Sequence, residues 1–202
     1  MYWCDCPIGS GRLMQELSCR KMLGFDKSPA FLEFNRKKGI SVYQGDLFSI
    51  PFENEFDLVT SLHTIFVFED FRDILKGYIK SLRKGGVLIC DIVNSDYITA
   101  ISNLGVEHYH NEGMTRSEVH TFFESLHCEV VESKLHSFYD NHFFMKWRKS
   151  KSRYYYHFMA CLWGVLNKLY FRFRFFRKLL RLFEQKQPPH RFRKYLIAVK
   201  KL

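Results

Sequence analysis

The most telling features of this 202-residue sequence are the patterns it lacks. Its six cysteines, Cys4, Cys6, Cys19, Cys90, Cys128 and Cys161, form no C-x-x-C pair and keep no regular spacing, so no zinc ribbon or disulfide framework is expected. They read instead as small buried residues of a reduced compartment. No G-K-[S/T] follows a glycine loop, which removes the P-loop nucleotide binders. No internal repeat and no Gly/Ser-rich linker divides the chain, and a single domain over 1–202 is expected. The first residues show no basic-then-apolar leader, so nothing argues for secretion and a cytoplasmic location is expected. Negative charge is scarce at one end only: residues 142–202 hold 17 Lys and Arg against a single acid, Glu184, while residues 1–141 hold 14 against 20. The net charge of +10 is therefore carried by the last third, which suggests an acidic partner or surface there.

What is present alternates short apolar runs with amphipathic segments. "MYWCDC" is a strand, "GRLMQELSCRK" is helical with Leu13, Met14 and Leu17 on one side, and "MLGFD" is a second strand. Ser28 and Pro29 suit the cap and first turn of a helix running to Lys38. "GISVYQ" is a third strand, and "EFDLVTSLHTIF" contains a fourth. From Glu69 to Arg83, Phe71, Ile74, Leu75, Tyr78, Ile79 and Leu82 form a helical stripe, closed by Lys84, Gly85 and Gly86. "VLICDIV" then reads as a strand buried on both faces, the mark of a parallel sheet. "TRSE" at 115–118 has capping-box spacing ahead of Val119, Phe122, Phe123 and Leu126. "CEVVESKLHSF" and "FRKYLIAVKK" are the last two strands. The sum is an α/β fold, a doubly wound, mostly parallel seven-stranded sheet with a helical insert, 140–190, before the last strand.

In such sheets ligands sit beyond the carboxyl ends of the strands. "DCPIGSG" ends the first strand there, and Gly9 and Gly11 would let the backbone turn tightly and approach a ligand. Asp26 ends the second strand, where its carboxylate could accept from ribose hydroxyls, and Asp46 in "QGDLFSIPF" ends the third, where it could accept from an amino group such as adenine N6. Either acid alone would suit a loop or cap equally well. A dinucleotide fingerprint would want a third glycine where Met14 stands, which argues against NAD.

These stretches together resemble the class I S-adenosylmethionine-dependent methyltransferases. "DCPIGSGRL" looks like their first motif, and "GFDKSPAFLEFNRKKG" like their ribose-binding segment. "YQGDLFSIPFENEFDLVTSLHTIFVF" resembles the adenine loop and fourth strand, and "SLRKGGVLICDI" the turn and fifth strand. The resemblance implies S-adenosyl-L-methionine as cofactor and a Rossmann-like methyltransferase fold. Carried across by position, Asp5, Pro7, Gly9, Ser10 and Gly11 would form the methionine-side loop, with Asp26 and Lys27 at the ribose. Asp46 and the backbone of Leu47 would meet the adenine. His63 would lie near the methyl group as the candidate base, with a polar pocket wall as the plainer role. Pro7 stands where the commonest pattern has glycine. It fixes φ and removes an N–H, so a different loop path is expected. The family usually has a helical cover ahead of the first strand. Only "MYW" precedes Cys4, so the chain reads as N-terminally short, or another segment supplies the cover.

Asp91 and Asn94, closing the fifth strand, could face an acceptor, with structural roles the alternative. His108 and His110, flanked by Glu107 and Glu112, read as a solvated loop, and no metal site is expected. In the insert, the apolar stretch Tyr154–Leu166 is interrupted by His157 and is shorter than the ~20 residues of a membrane span. Basic and aromatic residues then alternate to 183. An interfacial helix on an anionic membrane is the preferred reading. RNA binding and a helical cap over the acceptor pocket are the alternatives. The expected function is a methyltransferase acting on a small-molecule or lipid-linked acceptor. An RNA-directed enzyme, or a non-catalytic cofactor- or membrane-binding module, is the alternative.

Overall fold

The computed structural model describes residues 1–17, 19–102, 111–136 and 194–202. The insert at 140–190 and the pair His108 and His110 lie outside the described residues.

Seven strands form one sheet in the order β3-β2-β1-β4-β5-β7-β6. They are β1 Tyr2–Asp5, β2 Lys21–Asp26, β3 Val42–Gln44, β4 Phe56–Ser61, β5 Leu82–Val93, β6 Cys128–His136 and β7 Lys194–Lys201. The pairs from β3 across to β5 are parallel, and β7 runs antiparallel to both β5 and β6. The helices are α1 Arg12–Glu16, α2 Pro29–Arg36, α3 Phe71–Ser81, α4 Ser95–Ser102 and α5 Arg116–Ser125. The doubly wound, mostly parallel sheet expected from the alternation is the observed fold.

The main core lies between the sheet and α3 and α5. Phe56, Ile74, Leu75, Tyr78, Leu88, Val119, Phe123 and Val199 are buried there. A smaller cluster of Trp3, Ile8, Met14 and Ile40 fills the space under α1. Cys4, Cys6, Cys90 and Cys128 are buried as free thiols, packing as small apolar side chains. Among the described residues no helix is long and apolar enough to cross a membrane.

Three local expectations are corrected. The helix after Gly11 stops at Glu16, because Leu17 turns extended (φ −119°, ψ 123°) and Lys21 is taken into β2 opposite Tyr2. The helix read from Glu69 to Arg83 spans Phe71–Ser81, and Leu82 already pairs with Phe56 of β4. The register then shifts between Phe56 and Leu58, so β5 begins at Leu82 and passes through Gly85 and Gly86. The third correction is α4, which the sequence reading passed over. Its start is held by the Asn94 side chain, which accepts from the Asp96 N–H at 3.1 Å.

The capping box is present as expected: Thr115 Oγ1 accepts from the Glu118 N–H at 3.2 Å, and Glu118 Oε2 accepts from the Thr115 N–H at 2.6 Å. The Thr115 N–H, with the Thr115 hydroxyl donating to the same oxygen at 2.8 Å, holds the Glu118 carboxyl below its usual range. Thr115→Ala is expected to cost about 1 kcal/mol of stability in urea denaturation at neutral pH. Glu118 is stabilising only while ionised, so the loss should shrink as acid protonates it.

Candidate functional site

β1, β2, β3 and β4 run parallel, so their carboxyl ends open on one side of the sheet. The loop after β1 is held there from three directions. The Cys6–Pro7 peptide is cis. The Cys6 N–H donates to the Thr60 carbonyl at 2.8 Å and the Ile8 N–H to the Phe25 carbonyl at 2.8 Å, tying the loop to β4 and β2. From the helix side, Tyr78 of α3 donates its hydroxyl to the Cys6 carbonyl at 2.9 Å.

Gly9 and Gly11 both adopt the left-handed backbone conformation, with φ of 51° and 68°. A Cβ at Gly9 would meet nothing within 4 Å, so the turn faces open space. At Gly11 the reason for glycine is the opposite one. A Cβ there would lie 1.9 Å from Asn35 Oδ1. Asn35 reaches in from α2, donating through Nδ2 to the carbonyls of Gly9 and Phe31, each at 2.8 Å. Its Oδ1 is buried without a hydrogen-bond partner, pressed against Gly11. Sequence reading missed this residue, since an Asn on a helix carries no signal of reaching a loop 26 residues away.

The acids divide the work. Asp26 accepts the Gly9 N–H at 2.9 Å on one oxygen and the Ser28 N–H at 2.9 Å on the other, joining the glycine turn to the start of α2. Asp46 caps a short 3₁₀ turn through the Phe48 N–H at 3.0 Å and pairs with Lys27 at 2.8 Å, which hold its carboxyl below the usual range. Leu47 is buried at the start of that turn. Ser10 is exposed, and its carbonyl accepts from Gln15 Nε2 at 3.0 Å. Asp5 is buried, accepting the Thr60 hydroxyl at 2.6 Å, and Trp3 Nε1–H completes the chain to Thr60 at 2.9 Å. Burial first, with the nearby Asp26 charge adding and the Thr60 bond opposing, pushes Asp5 up to about 7. A cation bound beside these two acids would favour the ionised form of Asp5.

On the far side of β1, the loop after β4 carries His63. Its backbone is left-handed, with φ 58°, and its N–H donates to Asp91 Oδ1 at 3.0 Å. The loop is pinned by Asn111, whose Nδ2 donates to the Ile65 and Phe68 carbonyls at 3.0 Å each. Asp91 therefore meets the loop rather than open space, and its other oxygen takes Lys194 Nζ at 2.8 Å. Lys194 is another residue the sequence reading missed, hidden among the 17 basic residues of the last third. Glu112 pairs with Arg72 at 2.6 Å. Among the described residues no cluster of His, Cys, Asp and Glu could hold a metal ion.

Comparison with known proteins bears on the family and the fold. Residues 4–90 match a family described as a methyltransferase domain. A malonyl-[acyl-carrier protein] O-methyltransferase of Porphyromonas gingivalis is 24% identical over 118 residues, covering 57% of this chain and 46% of the relative. The chain thus spans less than half the length of that curated relative. Among solved structures, a SAM-dependent methyltransferase of Thermotoga maritima aligns at a TM-score of 0.51 and 24% identity, covering 66% of this chain and 65% of the other. Magnesium protoporphyrin IX methyltransferase of Synechocystis, solved with bound SAH, aligns at 0.59 with 8% identity, covering 100% of this chain and 74% of the other. At these identities the solved structures speak to the fold alone.

Two tests follow from the site's construction. Gly11→Ala should destabilise the chain by about 2 kcal/mol or more in urea denaturation, from strained backbone and the Asn35 contact together. Combining it with Asn35→Ala should cost less than the two single changes added, because the contact is then gone. The second concerns Asp5: between about pH 4 and about pH 7 the folded chain holds a proton that the unfolded chain has released. Stability should therefore fall as pH rises through that window, by on the order of 4 kcal/mol. Asp5→Asn should flatten the decline in denaturation curves taken at both ends.

Proposed function

We propose that the chain is a class I S-adenosylmethionine-dependent methyltransferase, residues 4–90 matching a methyltransferase-domain family, and that it binds S-adenosyl-L-methionine at the glycine turn and methylates a small or lipid-linked acceptor beside His63. The observation that carries this is the turn itself, left-handed at Gly9 and Gly11, open to ligand at Gly9 and locked to the Asp26 carboxylate. The residues suit the cofactor's chemistry. Its methionine end is cationic, and Asp5 and Asp26 form a buried acidic pair beside the turn. When bound, the cofactor supplies an electrophilic methyl group on a sulfonium.

Asp5, Pro7, Gly9, Ser10 and Gly11 would surround the methionine end, with Asp26 and Lys27 at the ribose edge and Asp46 with Leu47 at the adenine. The chain's own contribution is alignment, since rate in such a transfer comes mainly from holding two reactants in line. Asp26 orients the turn, and Asn35 and Tyr78 hold two of its carbonyls. His63 and Asp91 line the acceptor side.

The basic aromatic residues of 154–183, read from sequence only, support an acceptor at an anionic membrane surface over RNA. Flotation of the full chain with phosphatidylglycerol vesicles should carry it upward. A chain that stays down while shifting tRNA at moderate salt would point to the nucleic-acid alternative.

The cofactor assignment is tested by calorimetry with S-adenosylhomocysteine. Binding in the micromolar range is expected, with Asp26→Ala weakening it at least about tenfold because the turn loses its anchor. No heat at high micromolar ligand would leave a fold without its cofactor and remove the enzyme reading.

A further inference from the structure

The acceptor side holds a cluster that cofactor binding does not use. Lys194 and Asp91 are both buried, their side chains 2% and 1% exposed, and form an ion pair at 2.8 Å. They come from antiparallel neighbours: Asp91 faces Leu196 and Val93 faces Lys194, so the two lie on one face of the sheet, one diagonal apart. Lys194 Nζ also lies 4.3 Å from the centre of the Phe66 ring. It also lies 3.3 Å from His63 Nδ1, a nitrogen that is itself 3.8 Å from Asp91 Oδ2. The His63 ring itself is open, 73% exposed, on a left-handed residue held by the same Asp91.

An ammonium group only donates hydrogen bonds. The 3.3 Å contact is a hydrogen bond only when Nδ1 offers its lone pair to Lys194, Asp91 Oδ2 at 3.8 Å being too far to take an Nδ1 proton, and this geometry favours the neutral ring with its proton on Nε2. The nitrogen left for an acceptor is an N–H donor, with no lone pair to take a proton. Asp91 is not presented to an acceptor either: its side chain is buried beneath the loop, with one oxygen on the His63 N–H and the other on Lys194.

We infer that Lys194 sets His63 as a hydrogen-bond donor, and that the acceptor is accordingly an oxygen already ionised at neutral pH, a carboxylate, bound through His63 Nε2–H. This rests on the methyltransferase reading above and names the substrate class of that site. A carboxylate oxygen reacts as it stands. Its lone pair forms the O–CH3 bond, the S–CH3 bond returns its electron pair to sulfur, the −1 and +1 charges cancel, and no proton is released. An alcohol would need a base that this cluster does not present, and an amine would meet an N–H donor facing its lone pair. His63 touches the substrate in this scheme, and Lys194 is a positioning residue acting through it.

The test reads the ring directly, in the full chain with 15N-labelled histidine, the His63 signals being identified by their loss in His63→Gln. Long-range 1H–15N correlation near neutral pH is expected to show His63 with Nε2 protonated and Nδ1 bare. Replacing the pair together, Asp91→Asn with Lys194→Met, keeps the core neutral and should release the ring to a mixture of tautomers. With S-adenosylhomocysteine present, propionate should shift the His63 signals saturably, about tenfold more tightly than its uncharged isostere propionamide. A His63 ring protonated on Nδ1 in the unaltered chain overturns the inference, as does propionamide binding equal to propionate. Should the double variant not fold, the unaltered chain's spectrum and the two titrations still decide. Failure of S-adenosylhomocysteine to bind would instead count against the methyltransferase reading, and calorimetry separates that result from a reversed tautomer.

Discussion

One carboxylate organises the open end of the sheet. The glycine turn after β1 has no side chains of its own with which to hold its shape. The bonds from the Gly9 and Ser28 N–H groups to Asp26 supply the missing constraint by joining β1, β2 and α2 at a point. With the turn fixed there, Asn35 can bond the Gly9 carbonyl from one side, and Tyr78 the Cys6 carbonyl from the other. Asp5 is trapped beneath, deprived of water, with Asp26 as its nearest like charge. The loop is thereby rigid while one face of it stays bare backbone. That combination lets a small ligand come close to main-chain groups at little entropic cost.

Two carboxylates at the ends of two strands thus have different tasks, each set by surroundings. Asp26 is satisfied by backbone donors and does structural work. Asp5 has only a hydroxyl to offset its burial. Asp91 makes a third case: it is as deeply buried, but a lysine arriving from β7 neutralises it. A buried ion pair is expensive to assemble and damaging to break, which makes it a poor source of stability and a good means of fixing geometry. Here the geometry fixed is the direction in which a histidine ring faces.

How much of this was legible in the sequence depended on how local the signal was. The seven strands, the α3 stripe and the Thr115 capping box are written in periodicity and short spacings, and they stand in the structure with ends moved by a few residues. The loop glycines and the acids of the strand ends were found because the topology places all of them on one side. Asn35, Asn111 and Lys194 were not found. Each acts through a contact far away in the chain, 26, 46 and 131 residues for their bonds to Gly9, Ile65 and His63. Pattern reading has no purchase on such pairs, and for Lys194 nothing in the surrounding run of cations marks one lysine as buried.

The position of β7 bears on how the molecule comes into being. It lies between β5 and β6, strands made well before it, and neither of those pairs with the other. On the ribosome, both must wait with exposed edges until the last of the seven strands emerges and slots between them. Only then does Lys194 reach Asp91. A chain without β7 would keep the residues of the glycine turn and lack the Lys194–Asp91 ion pair.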